Sequence, residues 1–216
     1  MAEITKVDPS GIEPLSLKII EEEAGEHGLK PDEWAVVRRL IHTTADFEFI
    51  RWTRFHPQAV AAGIAAIKNG VAIVTDTRMA QAGITRRHLA SFGSDVHCFI
   101  DDPEVVNIAK TTNTTRAAAA VNRARDLLHG GVAVIGNAPT ALIELVRLHE
   151  KEKLQPALVV GMPVGFVNAA EAKELLMASG LVHISVAGRK GGSAVAAATV
   201  NALADLAAGE SNAHSA

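Results

Sequence analysis

A chain of 216 residues, 48% of them hydrophobic and with a formal net charge of −3, is long enough for one substantial core and too acidic overall for a nucleic-acid partner. The single cysteine, Cys98, excludes an internal disulfide framework and a cysteine-based metal site, and it fits a reducing compartment as a buried structural thiol. No apolar run reaches the ~20 residues of a membrane span, and Met-Ala-Glu-Ile-Thr-Lys at the start has no signal-peptide pattern, so a soluble cytoplasmic protein is expected, with no membrane contact.

Taken in chain order, apolar residues at 12, 15, 17, 19 and 20 followed by Glu21, Glu22 and Glu23 predict a first helix over 12–26, ending at Gly28. Pro31-Asp-Glu-Trp opens a second, with proline in the first turn and two acids at its positive end. Trp34, Val37, Leu40 and Ile41 recur at helical spacing along it, and His42 lies at its C-terminal end. Residues 43–55 read as irregular. A helix over 57–69, capped by Gly70, precedes a buried strand over 71–75, and a strand over 95–100 precedes a helix over 114–128. Strands over 132–135, 157–160 and 183–186 then alternate with helices over 140–150, 168–179 and 193–208. This alternation predicts the α/β class: a single domain over 1–208, with a mainly parallel sheet and helices on both faces. Residues 209–216 read as a disordered tail.

Twice an apolar run stops at a glycine, passes a proline and restarts as a helix. The runs are Val132-Ala-Val-Ile-Gly-Asn-Ala-Pro-Thr-Ala-Leu142 and Leu158-Val-Val-Gly-Met-Pro-Val-Gly-Phe-Val-Asn-Ala-Ala-Glu171. Open α/β sheets hold ligands where parallel strands end and helices begin, so the two turns mark a pocket. No G-x-G-x-x-G, Walker loop or G-x-S-x-G elbow is present; Gly188-Arg-Lys-Gly-Gly-Ser193 has a phosphate loop's glycines in another spacing. The nine histidines show no ligand spacing, so neither a metal nor a cofactor is expected. Residues 36–130 hold 12 Lys/Arg against 8 Asp/Glu, a surplus of +4 in a chain of net −3, which suits a small, multiply acidic molecule.

His42 ends a helix whose carbonyls favour an imidazolium; Asp46 supports that form if the helix continues, and Arg38 opposes it. On helix physics alone an ordinary capping histidine is the weightier reading. Gly83-Ile-Thr-Arg86 and Asn113-Thr-Thr-Arg116 each set a hydroxyl before an arginine near a helix start. An arginine fork and a capping hydroxyl could share one carboxylate there, and a plain N-cap beside a solvated arginine stands level with it. Gly191-Gly-Ser193 opens the last helix with free N–H groups, a third anion site beside Arg189 and Lys190.

Taken together and in order, these motifs resemble the precorrin-8X methylmutase family, called cobalt-precorrin-8 methylmutase in the anaerobic corrin pathway. The matching stretches are Ser16 within Pro-Leu-Ser-Leu-Lys-Ile-Ile, Leu40-Ile-His-Thr-Thr, Gly70-Val-Ala-Ile-Val-Thr-Asp-Thr-Arg-Met79, Gly83-Ile-Thr-Arg86 and Asn113-Thr-Thr-Arg-Ala-Ala118. Ile135-Gly-Asn-Ala-Pro-Thr-Ala-Leu142, Gly161-Met-Pro-Val-Gly-Phe-Val-Asn168 and Gly188-Arg-Lys-Gly-Gly-Ser-Ala194 complete it over nearly the whole chain, the two proline turns being the most specific part. Two places depart from the pattern: Thr43-Thr-Ala-Asp46 after the histidine, and Lys190 where an apolar residue is expected.

The resemblance implies a homodimeric α/β isomerase that moves a methyl group from C-11 to C-12 of a tetrapyrrole, giving hydrogenobyrinic acid or its cobalt counterpart. It implies that the histidine matching His42 assists by donating a proton or hydrogen bond to the ring, which reverses the weighting on His42. Ser16, Thr85, Arg86, Arg116, Gly191, Gly192 and Ser193 then form the rim that holds the acidic side chains around an apolar slot. A non-catalytic tetrapyrrole carrier of the same fold is the alternative, and a nucleotide- or sugar-phosphate enzyme using residues 188–193 is a third.

Overall fold

The computed structural model describes residues 8–209; the first seven residues and, beyond Gly209, the expected tail lie outside the described residues. A 3-10 turn at Pro9–Gly11 leads into α1 (Ile12–Ala24) and then α2 (Pro31–Thr44), where Pro31 sits at a position whose N–H has no intrahelical partner to lose. The stretch expected to be irregular contains α3 (Glu48–Trp52) and β1 (Thr53–Phe55). Elements of five and three residues are too short to show a period, which is why the sequence pattern hides them.

The chain continues through α4 (Ala59–Lys68), β2 (Ile73–Thr75), α5 (Arg78–Gly83), α6 (Arg86–Phe92), β3 (Val96–Cys98) and α7 (Pro103–Thr111). The single helix expected over 114–128 is broken at Ala124 into α8 (Arg116–Arg123) and α9 (Arg125–Leu128). Then follow β4 (Val132–Ile135), α10 (Pro139–Glu152), β5 (Leu158–Gly161), α11 (Ala169–Ala178), β6 (His183–Val186) and α12 (Ser193–Ala208).

The six strands form one sheet in the order β1-β6-β5-β4-β2-β3, parallel except for the antiparallel pairing of β1 with β6. Strand side chains alternate between two cores. Ile73, Val132, Val134, Leu158, Val160, Ile184 and Val186 pack with α2, α4 and α12, whereas Val74, Ala133, Ile135 and Val159 pack with α8, α9, α10 and α11. Helices therefore cover both faces, and four-residue strands with every residue buried are the result. The alanine-rich α12 is spent inside the chain, against α2, α4 and α5. Cys98 is a buried free thiol.

Candidate functional site

From β2 the chain moves to β3 on one side of the sheet and then to β4 on the other, so the strand order reverses between β2 and β4. In open α/β sheets that reversal, at the carboxyl ends of the strands, opens the ligand crevice. Asp76 follows β2 there and is 3% exposed. Its Oδ1 accepts from the Gly136 N–H at 3.0 Å, and its Oδ2 accepts from the Asn137 and Ala138 N–H groups at 2.8 and 2.7 Å. One carboxylate thus fixes the first proline turn. Burial pushes the Asp76 carboxyl up, against the pull of those three donors.

The second proline turn and the last glycine loop close on the first. The Met162 N–H donates to the Ile135 carbonyl at 2.8 Å, and the Gly192 N–H donates to the Met162 carbonyl at 2.9 Å. A Cβ at Gly136 would lie 2.7 Å from the Ser193 Cα, and one at Gly191, where φ is +152°, would overlap the Met162 carbonyl oxygen. Backbones approach this closely only because both positions lack a side chain. The Ser193 hydroxyl lies 2.8 Å from that of Thr77, and no side chain caps the first turn of α12, whose N–H groups open toward the same edge. The strand ends therefore carry three interlocked turns.

Arg116 begins α8 beside this edge, because its neighbour Thr115 both caps the helix and meets the Thr140 hydroxyl of α10 at 2.8 Å. Thr85 precedes α6; its N–H donates to Asn201 on α12 at 2.8 Å, and its hydroxyl has no partner among the described residues. Eight residues of α12 separate Asn201 from Ser193, about 12 Å along the axis. Among the described residues Arg86 and Arg116 are the two arginines with no hydrogen bond, ion pair or ring contact. The two arginines singled out from the sequence are the ones left uncommitted. The cations expected to reinforce the last glycine loop are not: Arg189 lies over the Phe166 ring at 5.5 Å, and Lys190 bonds Asp46 and Glu48.

His42 is exposed in the last turn of α2, and neither ring nitrogen has a partner among the described residues. The helix does not continue to Asp46. Ala45 turns left-handed at φ +53°, and Asp46 instead accepts from the Glu48 N–H just ahead of α3 and takes the Lys190 ammonium. Asp46 and Lys190 are thus partners, and Asp46 gives His42 no helical support. β1 brings this corner to the site: its antiparallel register sets Thr53 opposite Val186, at the carboxyl end of β6, so whatever precedes β1 lies at the ligand edge. The Ala187 N–H donates to the Trp52 carbonyl at 2.8 Å and extends the pairing.

Ser16 is placed apart. Its hydroxyl donates to the Ile12 carbonyl one turn back at 2.9 Å, and no hydrogen bond or ion pair joins it to the glycine turns. Leu17 beside it lines an open groove of about 740 Å³ that Thr85, Arg38 and Arg39 also line. His42 lies one turn beyond Arg38 and Arg39 on the same face of α2. Two of the groove's arginines are already paired, Arg38 with Glu21, and Arg39 with Glu13 and Asp205.

Sequence reasoning missed Asp76 and Lys173. The signal for Asp76 was a carboxylate set directly after an apolar strand. Lys173 on α11 lies on the stripe of Ala169, Ala172 and Leu176, is 0% exposed, and donates to the Lys190 carbonyl at 2.7 Å. Burial lowers its ammonium to about 8.

The precorrin-8X methylmutase family model matches residues 11–206. A cobalt-precorrin-8 methylmutase of Leptospira interrogans is 44% identical over 211 residues, covering 94% of this chain and 96% of its own. A precorrin-8X methylmutase of Pseudomonas aeruginosa is 42% identical over 199 residues, covering 91% and 95%. The crystal structure of a precorrin-8X methylmutase from Thermus thermophilus superposes with a TM-score of 0.86 at 48% identity, covering 93% of this chain and 98% of that one.

Proposed function

This chain belongs to the precorrin-8X methylmutase family, and we propose that the strand edge just described, with His42 beside it, is where it moves a methyl group from C-11 to C-12 of precorrin-8X or cobalt-precorrin-8. It is an isomerase of cobalamin biosynthesis. The observation that carries the reading of the site is the meeting of three close-packed backbone turns at the sheet's switch point, with uncommitted arginines at the starts of α8 (Arg116) and α6 (Arg86).

The substrate is a flat apolar ring edged with carboxylates. Glycine turns let the backbone approach its face, while Arg86, Arg116, the Thr85 hydroxyl and the first turn of α12 at Gly191, Gly192 and Ser193 supply donors for its acids. Ser16 belongs to the outer rim, across the groove beside Leu17. His42 donates a proton or hydrogen bond to a ring nitrogen, which drains electron density from the carbon that receives the methyl group. The shift is internal to the substrate and consumes no second reactant. Cobalt, where present, arrives within the macrocycle as substrate.

The reading includes a homodimer and a cytoplasmic setting for one catalytic domain over 1–208. Ile12, Leu15 and Ile19, exposed by 54, 38 and 43%, recur along one side of α1 and support a partner contact. No helix among the described residues is long and apolar enough to cross a membrane.

The test is incubation of the protein with metal-free precorrin-8X and, separately, with its cobalt form while the absorption spectrum is followed. One or both should convert, and His42→Ala should slow conversion by about 100- to 10,000-fold. Binding with no spectral change would refute the catalytic reading and leave a carrier; an unaltered rate in His42→Ala would remove the histidine's role.

A further inference from the structure

We propose, building on the methylmutase reading, that Lys190 is a positioning residue: held at both ends, it fixes the Gly191–Ser193 turn relative to the helix end that carries His42. Its carbonyl accepts from the Lys173 ammonium, which is wholly buried on α11 and has no other partner among the described residues. Its own ammonium bonds Asp46 Oδ2 and Glu48 Oε2. These carboxylates stand four and six residues beyond His42, and Asp46 is itself held at the start of α3, its Oδ1 accepting from the Glu48 N–H at 2.9 Å. One residue thereby ties three elements: α11 through its backbone, the α2–α3 corner through its side chain, and the opening of α12 through the chain itself.

Three features separate this arrangement from an ordinary surface pair. A lone exposed pair holds little, because two flexible side chains must be ordered for one contact. Here the Lys190 backbone is already fixed from below, and the adjoining Gly191 and Gly192 lie at φ +152° and +133°, a conformation that has no stiffness of its own. A turn of two such glycines, packed against the Met162 carbonyl, needs an outside anchor to keep one geometry. Burying an ammonium with a single carbonyl as partner works against folding, so Lys173 is explained by what it holds. The bond to the Lys190 ammonium holds the Asp46 carboxyl below the usual carboxylate range.

The experiment compares wild type, Lys190→Met, the pair Asp46→Asn/Glu48→Gln, and the triple variant. Each is measured for kcat and KM on the tetrapyrrole and for amide hydrogen exchange over 188–196 and 42–48. Lys190→Met and the carboxamide pair should each lower kcat about tenfold or more with KM little changed, and the triple variant should lose no more, because one linkage is cut in all three. Exchange should quicken on both sides of the clasp in every variant. A raised KM with unchanged kcat in Lys190→Met, or a lowered KM in the carboxamide pair, would make Lys190 a substrate contact and overturn the proposal. Multiplicative losses would overturn it as well. Wild type inactive on both tetrapyrroles sinks the methylmutase reading by itself; exchange then decides the clasp, and unchanged exchange overturns it.

Discussion

Replacing Lys173 by Met tests whether the chain retains a buried ammonium at the expense of stability. Lys173 is 0% exposed, and its ammonium falls from 10.5 to about 8 by burial. Because the folded value of this base is depressed, the unfolded chain holds the proton over roughly pH 8 to 10.5 while the folded chain has released it. Stability therefore rises with pH across that window, with the penalty fully present below about pH 8. A difference of about 2.5 pKa units corresponds to about 3 kcal/mol, of which about 2–3 kcal/mol is recovered between pH 7 and 10. Methionine removes this penalty and fills a similar volume, but it leaves the Lys190 carbonyl without its donor, at about 1–3 kcal/mol. Near pH 7 the two terms nearly cancel. Urea unfolding of both proteins at pH 7, 8, 9 and 10 is the assay, and wild type should gain on Lys173→Met by about 2–3 kcal/mol over the series. A difference that is flat with pH, or that falls, would refute the claim that this ammonium is desolvated in the fold.

Asp76→Asn presents an amide N–H₂ to one of three inward-pointing backbone N–H groups and turns two charge-assisted bonds into neutral ones, for a loss of about 2–4 kcal/mol. Thermal unfolding should fall by roughly 5–15 °C, and an unchanged midpoint would show that the carboxylate does not hold the turn. Gly136→Ala sets a methyl 2.7 Å from the Ser193 Cα, so backbone must move; about 1–3 kcal/mol of stability and at least tenfold in kcat should be lost together. Full activity in that variant would mean that the contact between the two turns is irrelevant to turnover.

Elements with punctuation at both ends were legible in the sequence. α12 runs over the expected 193–208 because two glycines open it and Gly209, at φ +81°, closes it. The parallel strands were legible as apolar runs, since a strand buried on both faces has no polar positions to interrupt it. α7 was overlooked although Asp102-Pro-Glu is a proper helix start, with the Asp102 side chain accepting from the Glu104 N–H at 2.9 Å. The break at Ala124 left no trace, because residues 123–125 contain neither glycine nor proline.

The candidate site divides along the same line. Its turns were legible because glycine and proline have local conformational meaning, and Arg86 and Arg116 because they follow hydroxyls at helix starts. The Lys190 clasp could not be read, since Asp46 lies 144 residues away in the sequence and no periodicity spans that distance. The sense of β1 is the deeper reason. Had three residues at 53–55 joined β6 in parallel, their leading end would lie at the opposite edge of the sheet, and α2 would deliver His42 away from the glycine turns. Antiparallel pairing, with Thr53 opposite Val186, turns the corner toward them. A histidine at the end of a helix becomes a candidate proton donor only through that reversal, and three residues of strand carry no pattern from which the sense of pairing can be inferred.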